Sequence, residues 1–392
     1  MRALIVGPGR IGCGYLAPLF ARAGWDVVLA ARSGDVAARI RRAGGFRVRT
    51  TRPRAHEQVA VAGAVAVGTP DFARELERAD LLCTAVGVGN VTRLAPDVAA
   101  GLAGRTRPLD VWTVENADCA PAFAARLEEE AALLGLLLPE VAVAGGVATV
   151  AVAHGSWHDD DEPEFVGDGA RTLWVDETRL PRGVPDLPGV RPTRHYLARL
   201  REKLFVFNAG HAICGYLGWL RGHETVADAV ADPYLRPMVA GCLLESRRAL
   251  VAAYPELGDD VAATVADALE RFADEELADP VVRVARDPLR KLAPRDRLLG
   301  PVALIHAASG RVPPYFALGV AGALLYRGEG DRQGEELAER LQRDGAVATV
   351  RRICGLPDDD AFARSVVARY RGFILAPDET IFPPVHAGGA AP

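Results

Sequence analysis

The chain has 392 residues, 49% of them apolar and 25% charged, with a formal net charge of −5. That length exceeds one ordinary core and predicts two domains, and the composition excludes a disordered chain. The mild negative charge argues against nucleic acid or an anionic membrane surface as a partner.

No apolar run reaches the roughly 20 residues that span a bilayer, and Gly7-Pro8-Gly9 interrupts the first one too early for a signal peptide. Cys13, Cys83, Cys119, Cys214, Cys242 and Cys354 are scattered without a C-x-x-C pair. Neither a metal site nor a disulfide framework is expected, and reduced thiols fit a cytoplasmic protein.

Residues 2–6 form a short apolar run that predicts a buried parallel strand. Gly7-Pro8-Gly9-Arg10-Ile11-Gly12 follows, then an Ala- and Leu-rich helical stretch to about Ala23. Strand, G-x-G-x-x-G and helix in that order is the dinucleotide fingerprint. Gly7 permits the tight turn, Gly9 the approach of backbone to a pyrophosphate, and Gly12 close helix–sheet packing. Arg10 and Ile11 lie inside the turn, at a helix N-terminus that offers amide donors to phosphate.

The second strand, around 25–32, ends in Ala31-Arg32-Ser33-Gly34-Asp35. A cation and a hydroxyl stand where NAD sites usually carry an acid for the ribose 2′-hydroxyl. Arg32 and Ser33 therefore favour NADP over NAD, unless Arg32 is merely exposed and Asp35 does the acid's work. A further buried strand over 79–87 brings Ala85, Val86 and Gly87 to the carboxyl edge of the sheet, where cofactor binds. After a helical segment at 91–102, the strand 109–116 places Glu115 and Asn116 at its carboxyl end. Those two residues either face the ligand crevice or cap the following element.

Residues 138–153 read as a strand with its turn. The stretch 155–192 is loop-rich and transitional, with an extra strand at 172–176 and a solvated acidic run at 159–162. From about Arg194 the pattern turns helical, with candidates at 194–219, 225–231, 234–253, 259–276, 315–327, 333–343 and 359–371. The expected plan is an α/β N-terminal Rossmann-type domain (1–192), followed by a mainly α-helical C-terminal domain (193–387). A frayed tail (388–392) would close the chain, and ligand would lie in the cleft between the domains.

Of 46 basic residues, two are lysines, Lys203 and Lys291. A lysine kept against such a bias suits a position where an always-protonated Arg cannot act as a base, although chance retention explains it equally well. Lys203 shares the first long helix of the second domain with Asn208 and His211. At 100° per residue these fall at 0°, ~140° and ~80°, within one sector. A base, an amide donor and an imidazole in one sector suit alcohol oxidation, which needs a proton acceptor and donors to the developing alkoxide. Lys291 lies in a cationic stretch with Arg286 and Arg290. That stretch can bind a substrate phosphate or pair internally with Asp287 and Asp296.

The chain resembles the polyol-specific long-chain dehydrogenases, most closely their mannitol-1-phosphate 5-dehydrogenase branch. The resemblance rests on the glycine turn, Thr84-Ala-Val-Gly87, Glu115-Asn116, Lys203-x4-Asn208-x2-His211, Tyr216-Leu-Gly218, Gly222-His223-Glu-Thr225 and Pro288-Leu-Arg-Lys-Leu292. It implies metal-independent hydride transfer between nicotinamide and a polyol or ketose, with Lys203 as general base and Asn208 and His211 positioning substrate. It also implies a phosphorylated substrate and a monomer or weak oligomer. Where the family reads V-D-R-I, this chain reads Val147-Ala148-Thr149-Val150. A related phosphorylated polyol, ketose or cyclitol therefore stands beside mannitol 1-phosphate. The alternative activity is a redox-neutral isomerase or epimerase that retains its nicotinamide.

Overall fold

The computed structural model describes residues 1–158, 162–357 and 360–375. The acidic run at 159–161 and the tail at 388–392 lie outside them. The chain forms two compact units, Met1–Leu200 and one that begins at Arg201.

Among its described residues, the first unit holds twelve strands: β1 (Arg2–Val6), β2 (Asp26–Ala31), β3 (Gly45–Thr51), β4 (Arg54–Ala60), β5 (Gly63–Ala66), β6 (Leu81–Thr84), β7 (Leu109–Thr113), β8 (Val141–Ala148), β9 (Val152–His154), β10 (Glu164–Gly167), β11 (Leu173–Asp176) and β12 (Val190–Thr193). Eight form one sheet in the order β12-β11-β8-β7-β6-β1-β2-β5. From β5 across to β8 every pairing is parallel. With the β3–β4 hairpin treated as an insertion, this is the doubly wound order whose direction reverses beside β1. The expected Rossmann-type domain is therefore present.

Its strands read as apolar runs because both faces are covered. Ala3, Ile5 and Leu29 belong to one core with Leu16 and Phe20 of the fingerprint helix. Leu4, Val6 and Val28 belong to the other, with Phe72, Val98 and Phe123 from three helices. A second sheet, β4-β3-β10-β9, joins Phe46 and Phe165 edge to face at 5.4 Å. The transitional stretch thus contributes strands to both sheets, the β11–β8 pair being antiparallel and the β11–β12 pair parallel.

The second unit is helical. Helix Asn208–Leu220 runs through its centre, packed against Val226–Ala231, Leu235–Ala253, Val281–Ala285 and Pro314–Leu325. Small residues allow these approaches. A Cβ on Gly210, Gly215 or Gly218 would lie 2.5, 2.9 or 2.7 Å from Leu243, Val284 or Ala229. The span Arg332–Cys354 is two helices that meet at Gly345, whose φ of 76° is left-handed. Helix Leu299–Ser309 forms where no helix was expected from the sequence. Among the described residues, no helix is long and apolar enough to cross a membrane.

Across the central crossing, a Cβ on Gly319 would meet Ile213 Cγ1 at 2.4 Å. Gly319→Ala should lower unfolding stability by about 1–3 kcal/mol, measured by urea denaturation. Combining it with Ile213→Ala should cost less than the two single losses added, because the second change opens the space the first one needs.

Candidate active site

The first group of site residues sits at the carboxyl edge of the parallel sheet. Gly7 has φ 100°, and a Cβ there would lie 2.4 Å from the Ala85 carbonyl oxygen. A Cβ on Gly12 would lie 2.0 Å from the Gly7 carbonyl oxygen. Both glycines are thus required by the fold itself. Gly9 is different: a Cβ there meets nothing within 4 Å, and its φ is not left-handed. Arg10 and Ile11 open the following helix, which turns π-helical over Gly12–Leu16.

Arg32 is exposed at the end of β2, and Ser33 is the N-cap residue of helix Gly34–Ala43, without a side-chain capping bond. Asp35 lies in the first turn of that helix and is exposed. Ala85, Val86 and Gly87 leave β6 toward solvent, and Gly87 is left-handed at φ 89°. Glu115 is buried, and its carboxylate accepts the Val86 and Gly87 amides at 2.8 and 2.9 Å and the Thr84 hydroxyl at 3.4 Å. These bonds fix the loop after the neighbouring strand. Asn116 is exposed beside it.

Lys203, Asn208 and His211 lie on one continuous helical run, Tyr196–Leu220, and all three are partly buried. The run is not uniformly α-helical. Glu202–Phe207 is a π-helix, and the Asn208 amide donates to the Lys203 carbonyl five residues back. Such a turn takes roughly four and a half residues, so residues five apart nearly superpose. The straight-helix estimate of ~140° between Lys203 and Asn208 is therefore too wide.

His211 is held on several sides. Its ring stacks on Phe272 at 5.1 Å and 11°, and tilts against Phe207 at 5.7 Å. Its Nε2 lies 3.1 Å from Oδ2 of Asp279, a carboxylate with a 3% exposed side chain. Arg283 donates to both oxygens of the same carboxylate, at 2.6 and 2.5 Å. Burial alone would raise the Asp279 carboxyl, but the His211 and Arg283 bonds outweigh it and hold the group well below the usual carboxylate range. Burial lowers the His211 pKa, against the opposing pull of Asp279. A neutral imidazole donating Nε2–H to an ionised Asp279 satisfies both directions. Asp279 escapes a reading of the sequence because it is 68 residues from His211; the nearest signal is Arg283, one helical turn along.

The cationic stretch divides. Arg286 and Arg290 are exposed, Arg290 lying 3.6 Å from Asp287 and 3.7 Å from Asp296. Lys291 instead turns inward and is 4% exposed. Its ammonium donates to the Val284 carbonyl at 2.6 Å and to the Arg286 carbonyl, and lies 5.7 Å from the Tyr216 ring centroid. Desolvation, reinforced by Arg297 and Arg290, pushes its pKa well down. The V-A-T-V segment is likewise inward: Ala148 and Val150 are buried, and the Thr149 hydroxyl donates to the Thr172 carbonyl at 3.0 Å. Among the described residues, no group of three or more His, Cys, Asp or Glu could hold a metal ion.

Residues 196–371 match the family model of the mannitol dehydrogenase C-terminal domain. Pseudomonas fluorescens mannitol 2-dehydrogenase, solved as a ternary complex with NAD and D-mannitol, is similar in fold with a TM-score of 0.75 and 16% identity. The match covers 97% of this chain and 92% of that one. A D-sorbitol dehydrogenase in substrate-free form gives a TM-score of 0.70 at 14% identity, covering 97% and 94%. A PanE/ApbA family ketopantoate reductase from Ralstonia eutropha JMP134 gives 0.50 at 21% identity, covering 86% and 100%. At these identities the likeness is one of fold.

The Glu115 bonds yield a direct expectation. Gln in its place keeps one acceptor oxygen and presents an amide donor to the second loop N–H. Glu115→Gln should weaken dinucleotide binding about tenfold, read by fluorescence titration, since hydrogen bonds to a charged group contribute about 1.5–3 kcal/mol. Unchanged affinity would show that the loop does not need its carboxylate.

Proposed function

We propose that this chain is a nicotinamide-dependent dehydrogenase of the polyol-specific long-chain family. It interconverts a secondary hydroxyl of a phosphorylated polyol and the corresponding ketose without a metal. The observation that carries the reading is the Lys203, Asn208 and His211 set on one helix, within the segment that matches the mannitol dehydrogenase C-terminal domain.

The fingerprint turn fits a dinucleotide. Gly7 and Gly12 are explained by contacts inside the chain, whereas Gly9 is not; a phosphate approaching its backbone supplies the missing reason. Gly9, Arg10, Ile11 and Gly12 would hold the pyrophosphate, with Ala85, Val86 and Gly87 lining the same sheet edge and Asn116 beside them. Arg32 and Ser33 offer a cation and a hydroxyl to a 2′-phosphate, which favours NADP over NAD. A bound nicotinamide would supply the hydride acceptor for polyol oxidation and, in its reduced form, the hydride donor for the reverse reaction.

The chain's own residues handle the proton. Lys203, as a neutral amine, takes the hydroxyl proton while the C–O bond becomes a carbonyl, and gives it back during ketose reduction. The Asn208 amide donates to the oxygen as it gains charge. His211, fixed by Asp279 and two aromatic rings, orients the substrate hydroxyls. Base and donor together supply the proton transfer and charge stabilisation that a metal provides elsewhere. Arg286 and Arg290 are the exposed cations suited to a substrate phosphate, and Lys291 braces the backbone that carries them.

The test is a screen of phosphorylated and free ketoses with NADPH and NADH, followed at the reduced-nicotinamide absorbance band. Oxidation of cofactor matched to polyol formed is expected. Isomerised product without a net absorbance change would favour the redox-neutral alternative. Lys203→Ala should lower kcat by about 10²–10⁴-fold and leave cofactor binding near normal; retained turnover would remove the base assignment. Arg32→Ala should weaken NADPH about tenfold or more and spare NADH, and equal effects on both would refute the 2′-phosphate role.

A further inference from the structure

The π turn at Glu202–Phe207 carries the proposed base, yet its sequence contains neither Pro nor Gly to impose it. A widened turn displaces carbonyls from the α-helical ladder, and a buried carbonyl needs a donor. Helix Leu235–Ala253 supplies one. Ser246 is 2% exposed, and its hydroxyl donates to the Phe205 carbonyl at 2.7 Å, between residues 41 apart in sequence. The next residue acts on the start of the turn. Arg247, also 2% exposed, places Nη1 3.3 Å from Oε1 of Glu202, while its Nη2 donates to the Leu257 and Gly258 carbonyls at 3.0 Å each. The Phe205 side chain is seated over Gly300, where a Cβ would come within 2.4 Å of the ring.

We propose that Ser246 is a positioning residue: its hydroxyl, with Arg247 beside it, holds the π turn open and thereby sets Lys203 in register with Asn208. Collapse of the turn to α-helix would move these two residues from near superposition to ~140° apart around the axis. The amine and the amide would then no longer address one substrate oxygen. Ser246 itself touches neither substrate nor cofactor in this account. It acts through the backbone, and the proposal rests on the assignment of Lys203 as base.

The lysine content of the chain provides a readout that does not depend on turnover. Lys203 and Lys291 are its two lysines, and Lys291 is buried. Labelling with trinitrobenzenesulfonate across pH, with peptide mapping by mass spectrometry, therefore follows the Lys203 amine by itself. Ser246→Ala is compared with wild type after melting curves show both folded. The expected result is a displaced pH midpoint of Lys203 labelling, together with at least a tenfold loss of kcat at unchanged cofactor affinity. Ser246→Thr, which keeps the hydroxyl, should restore the midpoint. A folded Ser246→Ala protein with the wild-type labelling profile overturns the proposal, because a merely structural serine would alter stability alone. If Ser246→Ala does not fold, Ser246→Cys, near in size with a weaker donor, is read in the same way. Absence of turnover with every polyol would undo the base assignment, while the labelling comparison would still decide whether Ser246 holds the turn.

Discussion

One hydrogen bond governs the geometry of the candidate catalytic residues: the Asn208 amide donating to the Lys203 carbonyl across five residues. In a regular α-helix the donor to Lys203 would be the amide of Phe207, and Asn208 would face a different side. The additional residue in the turn brings the K-x4-N spacing onto one side of the helix. His211, three residues on, is separately fixed by Asp279 and by Phe207 and Phe272. The three polar side chains thus depend on two different restraints, one along the helix and one across it.

Much of the architecture is legible in the sequence because strand and helix periodicities are strong. Residues 3–6 and 81–83 are uninterrupted apolar runs and 109–113 is broken only by Asp110 and ends in Thr113, as suits strands covered on both faces. The β3–β4 hairpin has only a short signal, Phe46 and Val48 alternating with arginines, a period of two that marks a half-exposed strand. Helix Leu299–Ser309 was hidden for the opposite reason. It is apolar nearly throughout and carries Gly300-Pro301 in its first turn, so no amphipathic stripe announces it.

The candidate site was legible in its residue types and illegible in its supports. Lys203, Asn208 and His211 can be chosen from composition and spacing, but the groups that restrain them lie far along the chain. Asp279, Arg283, Ser246 and Arg247 meet the central helix only through packing of the helical unit. Glu115 illustrates the same limit: its position at a strand end left ligand contact and capping both open, and nothing in the sequence announced that its carboxylate accepts the amides of Val86 and Gly87. The two lysines also part company. Rarity drew attention to both, yet burial commits the Lys291 ammonium to main-chain carbonyls, while Lys203 is the one on the widened turn.

The proposed function requires hydride to pass directly between a carbinol carbon and nicotinamide while Lys203 takes the proton. The most direct measurement uses a polyol deuterated at the carbon to be oxidised, with oxidised cofactor and enzyme, and mass spectrometry of the reduced cofactor. One deuterium in the reduced cofactor is expected for each ketose formed, with loss of that transfer in Lys203→Ala. Ketose formed with no deuterium in the cofactor would contradict it.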